Sequence, residues 1–331
     1  MRYLTQTLKQ TVIVLAILSL AASIHAATRI IEGHGYDNLI EIRNGSTQVI
    51  LEPNMGGRVL AYKLNGVEIL YQDPAQAGLH PTREVSVHRI AGGRFDVGPT
   101  FALPQHNTIW QCAWTGEITG DYSARLISQI DPDLGIQLVR DFTLSPDNSK
   151  LDCKQTIINH NDVPFRGCFW SRTFAKGGGV SFAPLKEDSR FPMGYALNLE
   201  PRGGFQFLPQ PEPAIRVRDN ILEIFTEPSD PKSIFNLSEG WLAYVSPDNL
   251  LFLKTFPFDT SWRYADPPQH HASFWHLKDE IVEIEPNGPQ EIIPPGGKAS
   301  FTETWQLIPF ELPSDKQVDL GKLRETVKAH Q

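Results

Sequence analysis

The chain has 331 residues, with 38 acidic against 30 basic side chains and a formal net charge of −8. That moderately acidic balance excludes nucleic acid as the natural partner, because it offers no basic field to meet phosphates. The length admits one large domain or two.

The N-terminus reads first. Arg2 and Lys9 precede an apolar run from Val12 to Ala22, followed by Ser23-Ile24-His25-Ala26. A basic start, an apolar centre and a small residue at the end predict a signal peptide over 1–26, cut after Ala26. The run is shorter than the roughly 20 apolar residues that span a bilayer. The expectation is therefore a periplasmic or secreted protein with no membrane anchor after cleavage. Losing Arg2 and Lys9 moves the formal charge from −8 to −10. Cys112, Cys153 and Cys168 admit two readings: one disulfide with one thiol left over, or three reduced core cysteines. Their spacing fits no zinc site, and no metal is expected.

Beyond the leader, apolar and polar residues alternate in short runs broken by Gly, Pro and Asn. Leu39–Arg43 and Thr47–Leu51 flank Asn44-Gly45; Leu60–Leu64 and Val67–Tyr71 flank Asn65-Gly66. Asn-Gly between such runs predicts type I′ hairpins, whose two central residues need positive φ. Ser123–Ile130 and Gly135–Leu144 pair around Asp131-Pro132-Asp133-Leu134. Further strands are expected at Leu151–Ile158, Ile221–Thr226, Trp241–Val245, Leu250–Phe256, Ile281–Ile284 and Ser300–Ile308. So many strands with no recurring helix predict an all-β fold, a large antiparallel β-sandwich in one domain over 27–313. The fair helix candidate is Asp315–Ala329 with Ser314 as N-cap, a short C-terminal helical tail over 314–331. Pro-rich loops at Pro184–Pro213 and Pro267-Pro268 keep apolar residues and do not read as linkers. Long loops on a rigid β scaffold carry binding groups.

Segments in order along the chain then carry a resemblance. The first is Leu51-Glu52-Pro53-Asn54-Met55-Gly56-Gly57-Arg58-Val59, with the Asn65-Gly66 hairpin and Glu68-Ile69-Leu70-Tyr71 after it. The second is Pro104-Gln105-His106 with Trp110, Trp114 and the Gly135–Leu144 strand. The third is Val282-Glu283-Ile284-Glu285-Pro286-Asn287-Gly288-Pro289, then Ile292–Gly297, then Thr302-Glu303-Thr304-Trp305. Together they resemble the galactose mutarotase-like (aldose 1-epimerase-like) superfamily over Leu39–Pro309, most closely a poorly characterised exported branch. The resemblance implies the mutarotase-like supersandwich, a carbohydrate partner and no cofactor.

Mutarotation interconverts sugar anomers through ring opening, so a base and an acid must flank the sugar. The resemblance implies Glu285 as the base and His106 as the family's substrate histidine, able to hold a hydroxyl or act as the acid. Alternation puts Glu283 on the face of Glu285. In the galactose enzymes the acid histidine follows an Asn-containing turn. Here Asn159-His160-Asn161-Asp162 leads into Arg166-Gly167-Cys168-Phe169-Trp170-Ser171-Arg172-Thr173, which holds no histidine. Arg172 cannot replace it as an acid, because its pKa is far above neutral; it is a candidate for binding an acidic sugar. The missing acid leaves His270, His271 and His276 to be considered. Among seven tryptophans, Trp110, Trp262 and Trp275 lie near polar, Pro-broken segments and are the candidate stacking platforms for a sugar. Arg94, more than Arg83 or His88, is the candidate arginine of the loop-rich stretch. The expected catalytic residues are thus Glu285 and His106. The expected substrate-binding residues are Arg94, Trp110, Arg172, Trp262, His271, Trp275 and His276. Competing readings are a non-catalytic carbohydrate-recognition protein on the same scaffold, and a lyase-associated domain for acidic sugars.

Overall fold

The computed structural model describes residues 28–85, 87, 90–99, 102–199, 202–264 and 268–331. The expected signal peptide and His88 lie outside the described residues.

Both Asn-Gly sites make hairpins, by different means. Asn65 and Gly66 have φ of 50° and 83°, the pair of positive values that a type I′ turn needs. Asn44 and Gly45 keep negative φ, contrary to the expectation of a second such turn. The Asn44 side chain is buried and builds the turn instead. Its Oδ1 accepts from the backbone N–H of Ser46 (3.0 Å) and Thr47 (2.7 Å). Its Nδ2 donates to the carbonyls of Ser145 (2.8 Å) and Asn148 (2.7 Å). An Asn side chain that closes its own turn removes the need for a left-handed backbone.

The hairpins assemble into two antiparallel sheets, of 12 and 10 strands among the described residues. At the centre of the first sheet lie, in order, Arg58–Leu64, Gly93–Gly98, Phe165–Lys176, Ile281–Ile293, Ala272–Leu277 and Lys232–Phe235. The second sheet includes Val180–Pro184, Trp241–Val245, Leu250–Thr255, Lys298–Pro309, Leu151–Asn159 and Ile136–Leu144. Their facing sides share one core, in which Phe95 stacks on Trp305 at 5.5 Å and Tyr62 and Phe252 pack against the same indole. All three cysteines are buried and unbridged. Among the described residues no helix is long and apolar enough to cross a membrane.

Two elements differ from expectation. The strand expected over Ile281–Ile284 runs on through Pro286-Asn287-Gly288-Pro289 to span Ile281–Ile293, 13 residues. A bulge absorbs the interruption: Trp170 lies opposite Asn287 and Cys168 opposite Gln290, so Gly288 and Pro289 together face Phe169. A bulge leaves its extra residue out of the ladder, which tolerates a proline without an N–H. The tail helix runs over Leu320–His330 with Asp319 as its cap, accepting from Lys322 N–H at 3.1 Å. It starts later than Ser314 would have set it, because Lys316 sits at φ 58°, which no helix continues through. Its Leu320, Leu323 and Val327 pack with Phe182, Trp241 and Leu251 on the second sheet's far face.

Candidate functional site

The site follows from parity. In a strand, successive side chains point to opposite faces. In Phe165–Lys176, Phe169, Ser171 and Thr173 point into the core between the sheets, so Trp170 and Arg172 point to the outer face of the first sheet. The same rule turns Phe95 and Val97 inward and Arg94 and Asp96 outward. It turns Ile284 inward and both Glu283 and Glu285 outward. Ser273 and Lys232 complete the set from the next two strands.

At the centre, two carboxylates share two cations. Arg172 Nε lies 2.7 Å from Glu283 Oε1 and 3.6 Å from Glu285 Oε1. Lys232 Nζ lies 2.6 Å from Glu285 Oε2, which also accepts from the Ser273 hydroxyl. Among the described residues, Glu285 Oε1 accepts no hydrogen bond. Trp170 roofs both cations, at 4.8 Å from the Arg172 guanidinium and 5.7 Å from Lys232 Nζ. Both carboxyls are buried, whereas the side chains of Arg172 and Lys232 are 18% and 13% exposed. The cluster therefore meets solvent through its cations. Burial alone would raise both carboxyl pKa values. At Glu285 the Lys232 ammonium and Arg172 outweigh burial and hold the carboxyl below its ordinary value. At Glu283 burial prevails over Arg172, helped by the charge of Glu285, and the carboxyl is raised. Partial burial works against the charges of Arg172 and Lys232, but the two glutamates outweigh it and shift both pKa values upward.

Two strands away lies a second polar group. His106 is buried, with Nε2 3.4 Å from Asp96 Oδ1 and Nδ1 2.7 Å from the Pro104 carbonyl. Burial lowers its pKa, but the Asp96 carboxylate and the Pro104 carbonyl overcome this, and the net shift is upward. The Trp110 ring packs edge-on against the imidazole at 4.3 Å. The backbone carbonyl of Trp110 accepts from Arg94 Nη2, while the buried Nη1 of Arg94 has no hydrogen-bond partner among the described residues. Gly56, at φ 69°, makes this fit possible: a Cβ there would lie 2.2 Å from the Trp110 carbonyl oxygen and 2.8 Å from Arg94 Nη2. Asp96 and Glu285 are separated by two strand spacings, roughly 10 Å between backbones, with Trp170 and Arg172 between them.

The remaining expected residues divide by location. Trp275 lies opposite both Glu283 and Lys232 and joins the cluster face. His276 has the opposite parity: it points between the sheets, where Nε2 meets Ser181 Oγ at 3.0 Å, and burial pushes its pKa down to about 3. His271 accepts from the Leu237 N–H at 3.0 Å and packs on Tyr264 at 4.4 Å; burial takes it down to about 4. Of the three neighbouring histidines, His270 is the one under the charges of Lys232 and Glu285, and burial with Lys232 takes it down to about 3. Trp262 is in none of this; it lines a separate cleft with Arg263, Gln290 and Glu291. The residues that sequence reasoning did not single out are Lys232, Ser273 and Asp96, which reach this face from three different strands. Among the described residues no group of His, Cys, Asp or Glu is arranged to hold a metal ion.

No protein-family model matches the chain. Solved structures do. A galactose mutarotase-like protein from Lactobacillus casei superposes with a TM-score of 0.58 at 10% identity, over 82% of this chain and 100% of that one. The Slr1438 protein from Synechocystis matches at 0.58 and 17%, over 85% and 99%. A candidate aldose 1-epimerase from Escherichia coli K12 matches at 0.57 and 12%, over 82% and 99%. Two antiparallel sheets with this strand order, and likeness that spans whole mutarotase-like proteins, give the chain the galactose mutarotase-like fold.

Proposed function

We propose that the protein is an exported carbohydrate-active protein that acts on the anomeric centre of a sugar, as an aldose 1-epimerase-like isomerase. The observation that carries this reading is the carboxylate pair Glu283 and Glu285 on the outer face of the sheet, beside the solvent-reaching cations Arg172 and Lys232, with Glu285 Oε2 held by Lys232 and Ser273. Glu285 Oε1 takes the proton of the anomeric hydroxyl. His106, whose Nδ1 is committed to the Pro104 carbonyl, passes the Nε2 proton that faces Asp96 to the ring oxygen. The ring opens, the carbonyl carbon rotates, and reclosure returns both protons. Arg172 and Lys232 keep Glu285 ionised, and Trp170 and Trp275 offer aromatic faces to the sugar.

Exchange NMR between the α and β anomers of galactose and glucose tests this. The protein should speed exchange beyond the buffer, and Glu285→Gln should reduce that excess by about 100-fold or more. No excess over buffer, or full activity in Glu285→Gln, removes the isomerase. One observation favours pure carbohydrate recognition as the second reading: Trp170 and Arg172 stand in the strand where the galactose enzymes carry their acid histidine. Glycan binding without anomer exchange, surviving Glu285→Gln, would establish it. Export is checked by the mass of the protein recovered outside the cytoplasm, expected to begin at Ala27.

A further inference from the structure

The cleft at Trp262 lies apart from the carboxylate cluster. Its volume is about 500 Å³, and it is lined by Trp262, Arg263, Gln290, Glu291, Ser300 and Thr302. That size falls within the range of ligand pockets. None of Arg172, Lys232, Ser273, Glu283 or Glu285 lines it.

Three features argue for a built site. Trp262 is 38% exposed, a large aromatic face left to solvent. The loop that presents it is fastened at both ends. Asp259 accepts from the backbone N–H of Ser261 (2.8 Å) and, through its carbonyl, from that of Trp262 (3.1 Å). The Arg263 carbonyl accepts from Gln290 N–H at 2.7 Å, tying the loop to the long bulged strand. Among the described residues, the side chains of Arg263, Gln290 and Glu291 make no hydrogen bond or ion pair within the protein. A fixed aromatic face surrounded by an amide, a guanidinium, a carboxylate and hydroxyls has the chemistry that receives a sugar ring: C–H surface on the indole, hydroxyls on the polar rim.

We infer that this cleft is a second carbohydrate subsite, which takes one unit of a neutral oligosaccharide on the face of Trp262. It goes beyond the proposed isomerase and does not depend on catalysis at Glu285.

The test is an array of neutral plant and microbial tetrasaccharides (β-glucan, α-glucan, xylan, mannan and galactan) probed with wild type, Trp262→Ala, Trp262→Phe and Glu285→Gln. Trp262→Ala should bind about ten-fold more weakly, the loss of one stacked aromatic face. Trp262→Phe should recover most of that loss, and Glu285→Gln should leave the Trp262-dependent binding in place. Because the indole is exposed, circular dichroism of Trp262→Ala should match wild type. The inference is overturned if Trp262→Ala binds every glycan as wild type does, or if wild type binds none. Anomer exchange with no effect at Trp262 leaves the isomerase standing alone. Trp262-dependent binding without anomer exchange does the reverse.

Discussion

One strand serves two charge clusters, and they are built differently. On the outer face of Phe165–Lys176, Arg172 meets two glutamates, of which Glu285 is also paired with Lys232. On the inner face, Ser171 and Thr173 meet a single pair: Lys254 Nζ lies 2.9 Å from Glu303 Oε2, 2.9 Å from Ser171 Oγ and 3.0 Å from Thr173 Oγ1. Trp305 Nε1 donates to the same Glu303 oxygen at 3.1 Å. Among the described residues, both clusters contain a carboxylate oxygen with no hydrogen bond, Glu285 Oε1 outside and Glu303 Oε1 inside. An unpaired oxygen is therefore not what marks a site. The inner pair is fully sealed, with both side chains at 0% exposure. The outer cluster has cations that reach solvent, two carboxyls driven apart in pKa, and aromatic faces above it. Access and divided acidity are what set the outer cluster apart from the inner, structural one.

Substitutions sharpen this contrast. The largest effect should come from the sealed pair. Lys254→Met leaves Glu303 as an uncompensated buried charge and should cost about 3–5 kcal/mol of unfolding free energy, measured by denaturant titration. Adding Glu303→Leu should recover most of it, since an apolar pair can replace a buried ion pair. If Lys254→Met is as stable as wild type, the inner cluster is not sealed. Lys232→Met should cost less, about 1–3 kcal/mol, because Arg172 remains near Glu285 and the site admits water. Its main consequence should be lost sugar exchange rather than lost fold. Equal destabilisation of the two lysine variants would erase the contrast.

The smallest effect concerns pH. His106 has a raised pKa in the folded protein, so the stability from its proton is fully present below the unfolded value, near 6.5. That contribution is lost as pH climbs through the higher folded value. Melting temperature should therefore fall on the alkaline side of pH 6.5, and Asp96→Asn should flatten that part of the decline. An unchanged pH profile in Asp96→Asn would show that Asp96 does not hold the proton on His106.

Much of this was legible in the chain, and the reasons it stopped are physical. Alternation along Val282–Glu285 put both glutamates on one face, where Arg172 joins them. The same parity separates Trp275 from His276, yet chain order gives no sign of which parity faces the core until the partner strands are known. Lys232 comes to this face through a pairing between strands distant in sequence, which local patterns do not encode, whereas Ser273 sits in the strand just before Glu285, across a short hairpin turn. Asn44-Gly45 gave the hairpin but not its geometry, because the buried Asn44 side chain answers to the Ser145–Asn148 loop. Trp262 reads as an aromatic near prolines, a description that fits either of two clefts.

The bulge at Gly288-Pro289 has a consequence for how this chain can vary. Before it, Glu285 and Asn287 share a phase; after it, Gln290 stands opposite Cys168, two residues from Trp170, and so regains that same phase. Five steps along a regular strand would have reversed it. The bulge acts as a frame correction that lets one strand furnish the carboxylates at one end and the Trp262 cleft at the other. A one-residue deletion at Gly288 would leave four steps between Glu285 and Gln290, so Gln290–Ile293 would keep their faces and the ladder would become regular. The same deletion within Ile281–Glu285 would turn over the residues on one side of it, so a one-residue length change is tolerable at the bulge and not beside it.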